Sequence, residues 1–330
     1  MSVRVMRAGI RAWAEDVRET MADDWKHGLM LGGYYAYVGA NLTLTSRRPV
    51  GTHPYEQDWD ALIILDACRV DALQELQDEF SFINSVDSVT SVGSTSGEWM
   101  AHTFDRAYRE EIAQTAMVTA NVHSETVLRD RVVPPQYVAA PFTWPAWNPV
   151  EPDSLGLLDE VWRYEWDDEL GTVPPRAITD QAITAGRMGE YDRMVVHYLQ
   201  PHAPYLAANP DGTVTTTYEE PLKSLRKGNI SRPEAWDAYL ETLRLVLSDV
   251  ELLIDNMDAE RVVLTADHGE AFGEVGFYEH PVCCPHPVVK KVPWVELTAT
   301  DSETYEPAIK DVNPPEQSDI TGQLEALGYV

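Results

Sequence analysis

The chain has 330 residues and carries 25 Lys+Arg against 54 Asp+Glu, a formal net charge of −29 at pH 7. A surface this acidic repels polyanions and lacks the clustered cations that neutralise phosphates, so no nucleic-acid partner is expected. With 44% hydrophobic and 24% charged residues the composition is globular, sufficient for one large α/β domain or two smaller ones.

At the N-terminus Arg4, Arg7 and Arg11 precede Glu15 and Asp16 with no apolar stretch behind them, so no signal peptide is expected. Leu29 to Leu42 is the most apolar stretch, too short to span a bilayer and interrupted by Gly32, Gly33 and Gly39. It predicts a helix that packs on the domain or, alternatively, lies on a membrane surface as a peripheral contact. Residues 1–57 are therefore read as a helical extension and 58–330 as the main domain.

Trp59 to Asp66 (WDALIILD) is a near-continuous apolar run ending in a carboxylate, the pattern of a parallel strand buried on both faces. Helical spacing follows over Arg69 to Phe80. Thr115 to Ala120, Met194 to Leu199, Arg261 to Ala266 and Val292 to Thr298 read as further strands. Helices are expected over Arg176 to Met188 and from Pro233 to Met257. This alternation predicts an α/β fold with a mostly parallel central sheet sandwiched by helices. Pro-rich residues 134–175, with Trp144, Trp147, Trp162 and Trp166, and residues 203–232 are too long for idle connections and read as substrate-facing insertions. Packing within the insertion is the favoured role for the tryptophans over ligand stacking.

Cys68, Cys283 and Cys284 offer no disulfide framework, which fits a reducing compartment and predicts a cytoplasmic location, with membrane association as the alternative. Self-repulsion of the acidic surface is screened by concentrated salt, so a halophilic source is preferred over an acidic mesophile.

Ligands in parallel α/β sheets bind outside the carboxyl ends of strands. Three predicted strands end in suitable residues: Asp66 in LDACR, His197 followed by Gln200-Pro201-His202, and Asp267-His268-Gly269-Glu270. The last places two potential metal ligands beside a Gly that allows a sharp turn. In Ser91 to Trp99, Gly93 and Gly97 bracket Ser94, Thr95 and Ser96 ahead of an amphipathic run. A hydroxyl there caps a helix, or it faces an anion or a cation as an activated nucleophile. His27, His53, His102, His123 and His286 lie outside these motifs and are read as structural or exposed.

Taken in order, LDACR, the hydroxyl turn, QPHAPY, and TADHGE followed by His280 resemble the alkaline phosphatase superfamily, above all its sulfatase-like and phosphoglycerol-transferase-like branch. The resemblance covers roughly residues 58 to 298 and extends to Leu324–Tyr329. It implies an alkaline phosphatase-like fold and a metal-dependent hydrolase or transferase acting on phosphate esters, with an anionic ester as partner. It makes Asp66, Asp267, His268 and the nucleophile ligands of one divalent ion (Mn, Zn, Mg or Ca), with Thr95 the best-matched nucleophile and Ser94 and Ser96 as alternatives. Glu98 stands where related enzymes often place a Ser. His202 and His280 match histidines that contact the substrate oxyanion or, in two-metal members, a second metal. His197 and Glu270 are additions or hydrogen-bond partners of ligands. Arg69 is expected either to donate to the phosphate or to pair with Asp71 or Glu75. The Cys-x-Pro-x-Arg segment of sulfatases is missing from the turn, and Asp66 is followed by Ala67, which demotes a sulfate-ester hydrolase. The other alternative is a catalytically inactive, anion-binding relative.

Overall fold

The computed structural model of the protein describes residues 10–23, 25–134, 140–209 and 213–308; Arg4, Arg7 and Leu324–Tyr329 lie outside them. Helices α1 (Ile10–Asp23) and α2 (Trp25–Thr45) come first. They are followed by β1 (Ala61–Leu65), α3 (Val70–Leu76), β2 (Asp87–Thr90), α4 (Ser96–Thr103), α5 (Arg109–Ile112), β3 (Thr115–Thr119) and β4 (Leu157–Glu160). The chain continues through α6 (Pro175–Met188), β5 (Arg193–Tyr198), the hairpin β6 (Tyr205–Ala208) and β7 (Val214–Tyr218), and helix α7 (Pro221–Arg226). Then come α8 (Arg232–Ile254), β8 (Ala259–Thr265), the short pair β9 (Ala271–Phe272) and β10 (Tyr278–Glu279), α9 (Pro287–Lys290) and β11 (Lys291–Ala299).

The central sheet has seven strands in the order β2, β11, β8, β1, β5, β3, β4. From β8 to β4 every pairing is parallel, and β11 runs antiparallel to both β8 and β2. The apolar runs form strands because each face is covered. Ile63, Leu65, Val196 and Leu264 pack with α3, α6 and α8 through Leu73, Ile178, Ile183, Leu243 and Val250. Leu62, Ile64, Met117, Val195 and Val263 pack on the other face with Trp59, Trp99, Met100 and Phe104. Each such aliphatic side chain contributes about 1.5–3 kcal/mol by leaving water. Register pairs Ile64 with both His197 and Thr265, and His197 with Thr119, so the carboxyl ends of β1, β5, β8 and β3 lie side by side.

The α/β sheet expected from the sequence is present, with boundaries shifted by one or two residues. Besides the two-residue pair β9–β10, three strand regions went unread. β2 (DSVT) is a half-exposed edge, β4 (LLDE) carries two acids, and β6–β7 sits in a segment dominated by turn residues. Stretch 134–175, read as an insertion, supplies β4 and thus an edge of the central sheet. Its Trp162 is buried with Nε1 donating to Ser124 Oγ (3.0 Å), Trp147 donates to the Pro134 carbonyl (2.8 Å), and Trp144 is exposed.

Helix α2 packs on the domain. Val38 and Leu42 are buried against Ala140 and Cys283. Gly39 allows the approach, since a Cβ there would lie 1.9 Å from the Pro141 carbonyl oxygen. Tyr34 and Tyr37 donate hydroxyl hydrogen bonds to the Val282 and Cys283 carbonyls (2.7 and 3.2 Å). Among the described residues no helix is long and apolar enough to cross a membrane. The three cysteines are free and buried.

Candidate active site

The site is assembled where β1 and β8 end. Asp66 and Asp267 each follow one of these neighbouring strands, and both are fully buried. Ala67, next to Asp66, adopts φ +61, a left-handed backbone that costs an Ala about 1–2 kcal/mol. The turn is held by the Tyr239 hydroxyl, which donates to the Ala67 carbonyl (2.8 Å) and accepts from the Arg69 N–H (2.9 Å), and by the Ala67 N–H donating to Asp267 Oδ1 (3.3 Å). Gly269 is needed for close approach rather than for a special φ. A Cβ would lie 2.1 Å from the Val288 carbonyl oxygen, and its N–H donates to the Val289 carbonyl (2.8 Å).

Four side chains converge with Ser96. His268 Nε2 is 3.5 Å from both Asp66 Oδ1 and Asp267 Oδ2, and His197 Nε2 is 3.9 and 3.8 Å from Asp66 Oδ2 and Asp267 Oδ2. Ser96 Oγ lies 3.2 Å from Asp66 Oδ2 and 3.3 Å from His268 Nε2. His268 Nδ1 is 3.0 Å from the Gly269 carbonyl, which assigns the ring proton to Nδ1 and makes Nε2 the lone-pair nitrogen. Asn121 Nδ2 donates to Asp66 Oδ2 (2.7 Å).

Electrostatics fit a cation. Burial, and then the charge of Asp267, pushes Asp66 well above the usual carboxylate range. Burial opposes ionisation of Asp267 too, but His268, His197, the Ser96 hydroxyl and the Ala67 N–H together hold its pKa below the usual value. Two carboxylates this close ionise together only beside positive charge. Asp66 Oδ1, Asp267 Oδ2 and both ring nitrogens of His197 are buried without a hydrogen-bond partner, and Asp66, His197 and Asp267 each offer an atom within 4.8 Å of the others. Orphaned oxygen and nitrogen atoms facing one another are the donor set a divalent ion takes.

A second cluster, His202, Glu270 and His280, meets the same distance criterion. His280 Nδ1 is 3.2 Å from Glu270 Oε1, and its ring stacks on His268 at 4.2 Å between centroids. Burial lowers His197, His202 and His280 to about 4, which keeps them neutral, and raises Glu270 to about 7.

Two expectations bear on the hydroxyl turn and on Arg69. Thr95, the preferred nucleophile and ligand, lines the cleft and caps α4, its Oγ1 accepting from the Glu98 N–H (3.2 Å), while Ser96, the alternative one residue on, is buried and reaches Asp66 and His268. Arg69 was expected to reach phosphate; its guanidinium is occupied by Asp71 (2.6 Å), Glu274 (2.8 Å) and the Glu270 carbonyl (3.1 Å), and it lies over the Trp236 ring. The pairing alternative therefore holds, with Glu274 as the second acid in place of Glu75. His280, given with His202 as an oxyanion-contacting or second-metal histidine, stands with His202 and Glu270. His123, read as structural, lines the pocket in front of the site. His53 and His286 cap short helices, and the His102 ring packs on Trp147 at 4.6 Å.

Sequence reasoning missed Asn121 and the bracing role of Glu98. The signal for Asn121 was there, a polar residue directly after the TAMVTA strand. Half of the Glu98 contacts go to Ser94, four residues back, but those to Cys283 depend on a loop almost two hundred positions away.

No family model matches the chain, and no curated protein matches it. Solved structures that resemble it include the C-terminal periplasmic domain of phosphoethanolamine transferase EptC from Campylobacter jejuni, at 13% identity and a TM-score of 0.40, covering 72% of this chain and 78% of that one. The integral membrane lipooligosaccharide phosphoethanolamine transferase A from Neisseria meningitidis matches at 12% identity and 0.47, covering 88% of this chain, which spans only 60% of that protein. A protein assigned as a sulfatase from Bacteroides thetaiotaomicron matches at 10% and 0.42, covering 81% and 70%.

Proposed function

We propose that this protein is a metal-dependent phosphate-ester hydrolase or phosphotransferase of the alkaline phosphatase superfamily, with Ser96 as its nucleophile. The observation that carries the reading is the buried cluster of Ser96 Oγ, Asp66, Asp267 and His268 at adjacent strand ends, in which Asp66 Oδ1 and Asp267 Oδ2 have no hydrogen-bond partner. A divalent cation held by these four residues supplies, when bound, positive charge that favours the ionised serine hydroxyl. The cluster of His202, Glu270 and His280 is suited to hold a second ion.

The chain's own residues supply the rest. Ser96 is the first residue of α4, where the helix N-terminus favours negative charge on the hydroxyl and on a bound phosphate. Its Oγ bonds to phosphorus as the bond to the ester oxygen breaks, leaving a phosphoserine. Water or an acceptor alcohol then attacks phosphorus and releases the serine, and two in-line displacements give net retention. The Nδ1 of His202 is engaged by the Ala203 carbonyl (2.7 Å), so that with no second ion held there Nε2 would be the proton acceptor for the incoming water or alcohol. Asn121 holds Asp66 in register while it accepts from Ser96.

The test strips metal with a chelator, restores single divalent ions in concentrated salt, and assays an aryl phosphate, a phosphodiester and a sulfate ester. At least one ion should restore turnover on a phosphate ester. Ser96→Ala should lower kcat on the order of 10³-fold or more, with Thr95→Ala within roughly tenfold of the parent. If no ion restores turnover on any ester, the enzyme reading fails; if Thr95→Ala is dead and Ser96→Ala active, the nucleophile is reassigned.

A further inference from the structure

The cleft above the site has a volume of about 560 Å³, far more than a phosphate group fills. Its lining includes His202, Glu270 and His280, and also Met30 and Tyr34 of α2 with Val275 and Phe277 from the loop that leads into His280. The helix and the loop are tied together, since the Tyr34 hydroxyl donates to the Val282 carbonyl at 2.7 Å and the Tyr34 and Phe277 rings lie 6.2 Å apart. Helix α2 thus contributes to the cleft from outside the segment that holds the ordered motifs.

Two features of the wall set its chemistry. Met30 is 67% and Val275 86% exposed, large apolar side chains left in water at the mouth of a cleft. Lys223 is the only basic side chain among the described lining residues apart from the histidines, and it is paired with Glu220 at 2.7 Å, while Glu219, Glu220 and Glu279 also line the cleft. Among the described lining residues, then, no unpaired lysine or arginine stands ready to receive a second phosphate or a carboxylate of the substrate. The apolar surface receives what such a group would not.

We propose that the substrate is a phosphate ester whose organic group is apolar, an alkyl chain or aryl ring, lying along α2 between Met30, Tyr34, Val275 and Phe277 with its phosphate at the start of α4, where Thr95 and Gly97 line the cleft on either side of Ser96. The proposal rests on the phosphoester reading of the same site, and alkylphosphonates, which bind without being hydrolysed, separate the two. Titration calorimetry on the full chain, metal-restored and in concentrated KCl, compares methyl-, butyl- and octylphosphonate. A fully buried methylene is worth about fourfold in affinity, so octyl should bind at least roughly tenfold tighter than methyl even with partial burial. Met30→Asp with Val275→Asp, both at exposed positions that leave the fold intact, should erase that gain and leave methylphosphonate affinity unchanged. Affinity independent of chain length, a gain that survives in the double variant, or no phosphonate binding at all would each overturn the proposal. Turnover of an aryl phosphate with flat phosphonate affinity sinks this inference alone. Chain-length-dependent binding without turnover of any ester sinks the catalytic reading and leaves the apolar subsite standing.

Discussion

Thr95 and Ser96 are adjacent hydroxyls on one turn, and the backbone decides which of them faces the acids. Thr95 is extended and uses its oxygen to cap the Glu98 N–H, whereas Ser96, the first helical residue, turns its oxygen toward Asp66 and His268. The same fineness governs Gly269. An Ala Cβ there would meet the Val288 carbonyl oxygen at 2.1 Å, and overpacking against backbone costs typically about 1–3 kcal/mol. Gly269→Ala should lower the urea midpoint accordingly and disturb His268 beside it; a midpoint equal to the parent's would show that the two segments separate freely. His102 gives a pH signature. Burial first, then Lys290 and His53, lower its pKa from 6.5 to about 3. The unfolded imidazole takes up a proton near 6.5 and the folded one only near 3, so the stability tied to its neutral form is complete above 6.5 and is lost as pH falls through that window. The slope is at most about 1.4 kcal/mol per pH unit. His102→Phe should remove up to that much of the pH slope in denaturant unfolding between pH 6.5 and 5, and an unaltered slope would place its titration elsewhere.

At the scale of elements, the site depends on holding the start of α4 against the loop that carries His280. Glu98 is the brace. One carboxylate oxygen accepts from the Cys283 N–H and thiol (both 3.1 Å), and the other from the Ser94 N–H (2.8 Å) and hydroxyl. The Ser94 hydroxyl in turn accepts from the Cys284 N–H (3.1 Å). Removing the acceptor orphans buried N–H groups at about 1–3 kcal/mol each. Glu98→Ala should therefore be less stable than Glu98→Gln, which keeps one oxygen, and both less stable than the parent in chemical unfolding. Turnover should fall in the same order, since Ser96 and His280 lose their common anchor. Equal stability of the Ala and Gln variants would mean the loop is held by other contacts.

For the whole molecule, a net charge of −29 means that folding concentrates like charges, and dissolved ions relieve that cost. An exposed pair such as Arg244–Glu79 offsets it by no more than about 1 kcal/mol. We expect the Tm to climb steadily as KCl is raised from dilute buffer to concentrated salt; a Tm that stays level or drops would argue against the halophilic reading. Much of this molecule was legible from residue order alone. Unbroken apolar runs such as ALIIL mark strands covered on both faces, since burial on two sides needs apolar residues in both directions. Polar residues placed directly after those runs mark where ligands gather, because parallel strands end on one edge. That much yielded the sheet and also Asp66, Asp267, His268 and His202, while His280 entered only through the resemblance. The tertiary structure alone decided which hydroxyl of SerThrSer turns inward, that Arg69 serves Asp71 and Glu274, that Glu98 spans to Cys283, and that α2 lends an apolar wall to the cleft. Each of these is a contact between segments far apart in the chain or a choice of backbone angle at a single residue, and neither leaves a periodic mark for a sequence pattern to carry.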